Sequence, residues 1–250
     1  MNTVARRVGL TLISLTVTAI LFGTLPESGT TQTVCSDLAT SLMPSMATCR
    51  HAEIVNGSPG FMSTANGFVV RASKVDALVV FPFHLTSSLL SKDSYFVADC
   101  YLGGTGMREN LNSETHQSIA YKYDLAILRL RGNFEDCRAV QDLLQIDSQK
   151  PQPGDTLQVC YYVDPEKPTP SGIECETVIV ERATSRTIVT TSAFRAGMSG
   201  AIVVRCLPDG AALMGFVSGN FTDEDGQEKG VIRTNRCLVE QFPKVGIQSP

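Results

Sequence analysis

Short apolar segments rich in Val, Ile, Phe and Thr recur along this chain from about residue 54 onward. They are separated by Gly, Asn, Asp and Pro, which favour turns, and long helical periodicity is rare. The pattern predicts an all-β sandwich or barrel. The ten predicted strands are 67–71, 77–81, 94–100, 125–130, 156–163, 176–180, 187–191, 201–206, 212–217 and 230–232.

The strongest internal break is the segment 150–155, Lys-Pro-Gln-Pro-Gly-Asp, which predicts a linker between two β halves. The polar residues 31–53 are interpreted as an N-terminal extension or pro-segment, followed by one domain over residues 54–250. Its two halves are expected at about 54–148 and 154–243. Apolar Leu238, Val239 and Phe242 predict a short closing helix.

The first thirty residues resemble a targeting signal. Arg6 and Arg7 precede an uncharged, largely apolar segment of 18 residues, 8–25. That length fits either a cleaved signal peptide or an uncleaved signal anchor. Both predict a domain that is secreted, or anchored on the luminal or extracellular side, with membrane contact only through this segment. A net charge of −4 without Lys or Arg runs does not favour nucleic acid.

Eight cysteines fit the same compartment, because a secreted chain with an even number favours disulfides, here four. The sequence leaves the connectivity open. The simplest pairing joins neighbours: Cys35–Cys49, Cys100–Cys137, Cys160–Cys175 and Cys206–Cys237. Asn56 and Asn220 lie in glycosylation sequons. Since no metal, nucleotide or cofactor motif is present, no cofactor and no metal is expected.

One segment suggests acyl-transfer chemistry. Residues 195–204 place Ser199 between Gly197 and Gly200 and then continue as a branched apolar segment. Glycines allow a tight turn that exposes the hydroxyl, and the N–H groups of Gly197 and Ser199 could stabilise an oxyanion. A plain glycine turn before a strand fits the same residues. A histidine and a carboxylate are therefore needed to distinguish the two.

The chain offers both. His84 follows the apolar segment 77–83, and a histidine at the end of a buried strand is well placed to be a general base. Asp124 precedes the apolar segment 125–130, where a buried carboxylate needs a partner such as a histidine N–H. Alternative carboxylates, which precede less apolar segments, are Asp76, Asp93 and Asp99. His51 and His116 lie in polar surroundings and are interpreted as surface residues.

The order His84, Asp124, Ser199 resembles the chymotrypsin-like (trypsin-like) serine proteases. Asp-Leu-Ala-Ile-Leu at 124–128 is similar to that family's Asp-Ile-Ala-Leu-Leu, and Gly-Met-Ser-Gly at 197–200 to its Gly-Asp-Ser-Gly. Segments 215–219 and 230–234 are similar to its Gly-Ile-Val-Ser-Trp-Gly and Gly-Val-Tyr-Thr. The likeness runs in order over residues 54–243.

The resemblance implies two six-stranded antiparallel β-barrels and a short C-terminal helix. It implies a hydrolase, a serine endopeptidase acting on protein or peptide substrates. By resemblance, His84 is the base, Asp124 its orienting carboxylate and Ser199 the nucleophile, with the N–H groups of Gly197 and Ser199 as oxyanion hole. The substrate-binding residues implied are Ala193, Ser218, Gly219 and Asn220.

Several residues depart from the family pattern. Met198 replaces the aspartate that pairs with a newly cleaved N-terminus, so a charged amine there would lack its partner. We therefore predict that cleavage before Ile54 is not an activation switch. Ala193 and Asn220 indicate a small or apolar residue before the scissile bond. Other departures, which keep a catalytically silent pseudoprotease as the alternative, are Phe83, Leu85 and Ala201.

Overall fold

The computed structural model describes the backbone of residues 35, 37–55, 58–84, 94–104, 108–112, 116–120, 123–147 and 149–247. The structure does not describe the side chains of residues 51–62, 94–99, 108–112 and 116–120. The expected signal segment 1–30 and the sequon residue Asn56 also lie outside the described ranges. Within the described ranges, no helix is both long and apolar enough to span a membrane.

The first half of the chain forms an antiparallel sheet, preceded by helix α1 (Leu38–Leu42). Its hydrogen-bonded order is β5-β4-β1-β2-β3-β7-β6, so the two edge strands, β5 and β6, are consecutive in the chain. The strands are β1 (Met46–Val55), β2 (Ser58–Ala72), β3 (Asp76–Pro82), β4 (Ser94–Leu102), β5 (Arg108–Asn112), β6 (His116–Ala120) and β7 (Leu125–Arg131).

The second half forms a closed barrel. The sheet order is β12-β9-β10-β11-β14-β13-β8; pairing of β12 with β13 closes six strands, and β8 adds in parallel to β13. Two helices flank it, α2 (Val140–Leu143) and the C-terminal α3 (Asn235–Val239). The strands are β8 (Gln145–Ile146), β9 (Thr156–Tyr162), β10 (Ile173–Ala183), β11 (Thr187–Thr190), β12 (Ile202–Leu207), β13 (Gly210–Thr222) and β14 (Glu228–Thr234).

The expected fold class is confirmed: a mostly β chain with a closed six-stranded barrel, a second sheet and a short C-terminal helix. All ten predicted strands overlap observed ones. Strand β1 begins at Met46, so residues 46–53, at the end of the expected N-terminal extension, form part of the sheet. This strand is rich in polar residues, and its place comes from pairing with β2 and β4, which leaves no local signature.

One core cluster joins the two sheets. Phe68 of β2 and Phe216 of β13 are fully buried, and their ring centroids lie 6.4 Å apart. Leu125, Tyr162 and Ile202 belong to the same cluster. Burying such side chains is the main favourable contribution to folding, so the shared cluster fixes the two sheets against each other.

Three disulfides are formed in the described part of the chain: Cys35–Cys206, Cys49–Cys100 and Cys160–Cys175. Strand register explains two of them, since Cys49 faces Cys100 across β1 and β4, and Cys160 faces Cys175 across β9 and β10. The predicted pair Cys160–Cys175 is confirmed. The other three predicted pairs are wrong, because Cys49 pairs across the sheet with Cys100 and Cys35 pairs with the distant Cys206. Buried Cys137 and Cys237 take part in none of the three disulfides.

Candidate active site

The site is built where strands β3 and β7 meet. Pro82 pairs with Leu125, so the end of β3 and the start of β7 bring His84 and Asp124 side by side. The His84 Nδ1 atom lies 2.8 Å from Asp124 Oδ2 and 3.0 Å from Oδ1, and the His84 backbone N–H donates to Oδ1 at 2.6 Å. Because a carboxylate only accepts, Nδ1 carries the hydrogen, and Nε2 is left as the basic atom of the ring.

The barrel formed by the second half of the chain also contacts this carboxylate. The Ser218 hydroxyl of β13 donates to Asp124 Oδ2 at 2.6 Å. Asp124 itself has φ of +54°, a left-handed conformation that aspartate tolerates better than most residues. Its side chain is 13% exposed, whereas that of His84 is 43% exposed. The carboxylate is thus sheltered and fixed from both sheets, while the imidazole faces the surface.

Two consecutive turns present Ser199. The Met198 N–H donates to Arg195 O at 3.2 Å, and the Ala201 N–H donates to Met198 O at 2.9 Å. The third residue of each turn has a positive φ, +88° at Gly197 and +81° at Gly200, which glycine adopts without steric cost. A Cβ atom on Gly200 would also lie 1.8 Å from a backbone oxygen of β2. Both glycines of the motif are therefore structural requirements of the turn.

Asn66 of β2 holds this turn, a role that the sequence analysis missed. It is fully buried, and its backbone N–H donates to Ser199 O at 2.9 Å. Its Nδ2 donates to Gly197 O at 2.7 Å, while its Oδ1 accepts from the Tyr162 N–H at 2.7 Å. One side chain therefore joins the first sheet, the barrel and the turn that carries Ser199. The available signal was an asparagine inside an apolar strand, since a buried amide needs partners.

The N–H groups of Gly197 and Ser199 remain as donors in this turn. Neither donates to an acceptor among the residues that the structure describes, whereas both carbonyls accept from Asn66. The turn also lies close to the histidine strand, because Pro82 Cδ is 2.9 Å from a Cβ built on Gly200. Ser199 is half-buried at this junction.

The flanks of the turn are anchored within the barrel. Met198 is 1% exposed and packs in the apolar cluster with Val217 and Ile232. Arg195 pairs with Glu176 at 2.6 Å, and its guanidinium lies 5.3 Å from the ring centroid of Tyr161. Apolar contacts thus surround Met198 on the side that faces the barrel.

The residue before Asp124 is held by the C-terminal helix. The Tyr123 hydroxyl donates to Glu240 Oε2 at 2.5 Å, and Arg186 donates to Oε1 at 2.8 Å. Arg186 also lies over the Tyr123 ring, 5.5 Å from its centroid. The Tyr123 hydrogen bond, followed by those from Arg186, holds the pKa of Glu240 below its ordinary value despite partial burial. Because of this network, α3 supports the backbone that carries Asp124.

The expected substrate-binding residues lie beside the turn. Gly200 N–H donates to Val217 O at 2.8 Å, so Ser218, Gly219 and Asn220 follow directly alongside Ser199. These three residues and Ala193 are at least partly exposed. The Nδ2 of Asn220, the atom that a glycan at this sequon would occupy, donates a hydrogen bond to the Phe194 carbonyl at 2.8 Å.

The remaining sequence candidates do not join this group. Asp76 lies at the opposite end of β3, where it pairs with Arg71 at 2.8 Å and Arg129 at 3.3 Å. The side chains of His51, His116, Asp93 and Asp99 lie outside the described residues. In the part of the chain that is described, no group of three or more His, Cys, Asp or Glu side chains is arranged to hold a metal ion.

No protein-family model matches this sequence, and no curated protein matches it in sequence. The structure matches 425 chains of solved proteins. One is the crystal structure of Rv3671c from M. tuberculosis, a serine-to-alanine mutant in an inactive form, with 16% sequence identity and a TM-score of 0.55. The match covers 87% of this chain and 94% of that chain. The likeness shows a shared fold, the chymotrypsin-like one that the sequence motifs implied.

Proposed function

We propose that this protein is a serine endopeptidase that cleaves peptide bonds through an acyl-enzyme formed on Ser199. The observation that carries the proposal is the Asp124 carboxylate, which accepts from the His84 ring and from Ser218 beside a glycine-flanked serine turn. The chymotrypsin-like fold and the likeness to a protein with a serine-to-alanine inactive mutant also support it. The sequence order of the three residues is the one that the resemblance implied.

In the proposed reaction, the Ser199 hydroxyl oxygen attacks the carbonyl carbon of the peptide bond. His84 Nε2 accepts the hydroxyl proton and then donates it to the leaving amine, which departs as the C–N bond breaks. Asp124 holds the ring with Nδ1 protonated and stabilises the imidazolium. Water then attacks the acyl-enzyme with His84 again as base, releasing the acid and restoring the serine.

The turn would supply the electrostatic stabilisation. The N–H groups of Gly197 and Ser199, unused among the described residues, would donate to the negatively charged oxygen of the tetrahedral intermediate. Removing one such donor in an enzyme of this type costs about 10²–10³-fold in rate. Asn66 keeps the same turn in place from the opposite side, so these donors are positioned before substrate binds.

The test is labelling by a fluorophosphonate probe, which traps a serine only where the base and the oxyanion donors are assembled. We expect labelling of the wild-type protein and its loss in Ser199→Ala and His84→Ala. Ser192→Ala, which changes an exposed serine nearby, serves as the matched control and should label like wild type. Absence of labelling in a folded, disulfide-intact wild-type protein would refute the proposal and favour the silent binding protein.

We further propose that the protein works in an exocytic compartment or outside the cell, secreted or anchored by its N-terminal segment. The three disulfides support this, because such bonds persist in oxidising compartments. Expression of the full chain followed by protease protection of isolated microsomes tests it. A domain that stays accessible on the cytosolic side would contradict this location.

A further inference from the structure

Phe194, in the segment that precedes the Ser199 turn, is buried in the apolar cluster of the barrel. We propose, as a refinement that rests on the proposed function, that Phe194 and Asn220 restrict cleavage to bonds that follow glycine, alanine or serine. Phe194 occupies the space beside Ser199 that would receive a substrate side chain, and Asn220 closes its mouth. The argument depends on where a peptide can lie, what Phe194 fills and what Asn220 connects.

An extended peptide has one obvious place to bind. Strand β13 pairs with β12 as far as Phe216, and the Val217 N–H then donates to the Ala201 carbonyl. Beyond Val217, β13 continues to Thr222 and pairs with β14 on its other side. Residues 218–222 therefore present an edge, on which no other described strand pairs. An extended peptide can add to such an edge by backbone hydrogen bonds. This edge begins directly beside the nucleophile turn.

A substrate residue at Ser199 would direct its side chain between segment 193–195 and residues 218–220. Phe194 fills that space: it is 6% exposed and belongs to the apolar cluster of the barrel. Its ring rests on Gly230 of β14, because a Cβ atom there would lie 2.5 Å from ring atom Cε2 and 2.7 Å from Cδ2. Because Gly230 has no side chain, the Phe194 ring can occupy this space, and little room remains for the side chain of a substrate residue.

Asn220 connects the two walls of this space, which are segment 193–195 and residues 218–220. Its Oδ1 accepts from the Phe194 N–H at 2.7 Å, and its Nδ2 donates to the Phe194 carbonyl at 2.8 Å. This reciprocal pair links β13 directly to the segment that precedes the turn. Entry of a long side chain between the walls would break both bonds, and their polar groups would lose their partners.

The chemistry of the lining gives the substrate class. No carboxylate is present at Ala193, Phe194 or Asn220 to pair with lysine or arginine, and the phenyl ring excludes large apolar groups. The side chains of glycine, alanine and serine are a hydrogen atom, a methyl group and a hydroxymethyl group, which are small enough to lie on the surface above the Phe194 ring. Cleavage after glycine, alanine or serine follows, which narrows the sequence expectation of a small or apolar residue to small residues alone.

The test begins with wild-type protein that a fluorophosphonate probe labels. Such protein is incubated with a proteome-derived peptide library, and new termini are identified by mass spectrometry. We expect glycine, alanine and serine before the scissile bond to be enriched at least about tenfold over leucine, phenylalanine, lysine and arginine, in line with single-group discrimination by enzyme pockets. Cleavage after large or charged residues overturns this inference and leaves the proposed function standing. Absence of labelling refutes the proposed function instead.

Two variants test the named residues. Asn220→Gly opens the mouth at an exposed position and Phe194→Ala empties the space; each should raise kcat/KM for leucine relative to alanine by about tenfold or more. Asn133→Gly, which changes an exposed asparagine after β7 and outside the proposed peptide-binding edge, is the matched control for Asn220→Gly and should keep the wild-type preference. If Phe194→Ala does not fold, the kcat/KM ratio for leucine relative to alanine in Asn220→Gly tests the assignment on its own. An unchanged preference in the folded variants overturns the assignment.

Discussion

Replacing Asn66 tests whether this residue of the first sheet holds the turn that carries Ser199 in place. In Asn66→Ala, the Tyr162 N–H and the Gly197 carbonyl lose their partners, while the backbone bond to Ser199 can persist. A turn freed from the Asn66 amide can rotate the peptide units around Gly197. Rotation would displace the N–H groups proposed to stabilise the oxyanion. We therefore expect activity to fall further than stability alone explains.

The size of both effects follows from the geometry. The Tyr162 N–H is buried, and leaving such a donor unsatisfied costs about 1–3 kcal/mol, with about 1 kcal/mol more for the part-buried bond to Gly197. A loss of roughly 2–4 kcal/mol lowers Tm by about 4–16 °C in a domain of this size. Loss of one oxyanion donor sets the scale for activity, about 10²–10³-fold in kcat with little change in KM.

The assay compares fluorophosphonate labelling rate with Tm in matched variants. Asn235→Ala is the control: Asn235 is also a buried asparagine whose Nδ2 donates to two carbonyls, those of Asp147 and Leu213, away from the turn. It should lose similar stability and keep the wild-type labelling rate below its Tm. Asn66→Asp keeps the acceptor for the Tyr162 N–H but loses the donor to the Gly197 carbonyl, so its labelling rate should fall at least as far as that of Asn66→Ala. Equal labelling rates for Asn66→Ala and Asn235→Ala would refute the reasoning.

Three further perturbations follow from the contacts described. Ser218→Ala removes one donor to the aspartate and should lower the labelling rate by about tenfold to a hundredfold, the scale of a hydrogen bond to a charged group, without changing Tm by more than a few degrees. Joint replacement of Cys35 and Cys206 by alanine should cost roughly 2–5 kcal/mol, seen calorimetrically as a Tm about 4–20 °C lower. Glu240→Gln should cost stability above about pH 4.5, and the difference from wild type should shrink as pH falls through the lowered pKa of Glu240, because its protonation then removes the same stabilisation. A pH-independent difference in urea midpoint would contradict this assignment.

Ten of the described strands and the residues of the proposed site were predictable because their signals are local. Apolar runs mark the strands, and the glycines on either side of Met198 and Ser199 mark a turn that needs positive φ. His84 and Asp124 each sit at the end of an apolar run. Antiparallel pairing of β3 with β7 then brings these two ends together.

The features that the sequence did not predict depend on contacts between distant segments of the chain. Asn66 contacts residues more than 90 positions away, and no local pattern indicates which carbonyl a buried amide will reach. The disulfide Cys49–Cys100 depends on a register between β1 and β4, which sequence proximity did not reveal. The packing of Phe194 on Gly230 joins residues 36 positions apart and likewise leaves no local pattern in the sequence.

The disulfide between Cys35 and Cys206 has a consequence for the fate of a cut chain. A single peptide-bond cleavage anywhere between these two residues leaves one cysteine on each fragment, so the fragments remain one covalent molecule. Strand β1, with Ile54 paired to Pro59 on one side and Tyr95 on the other, would be severed by a cut before Ile54 and yet stay attached. A protein cut once in this interval therefore migrates as a single species until a reductant is added.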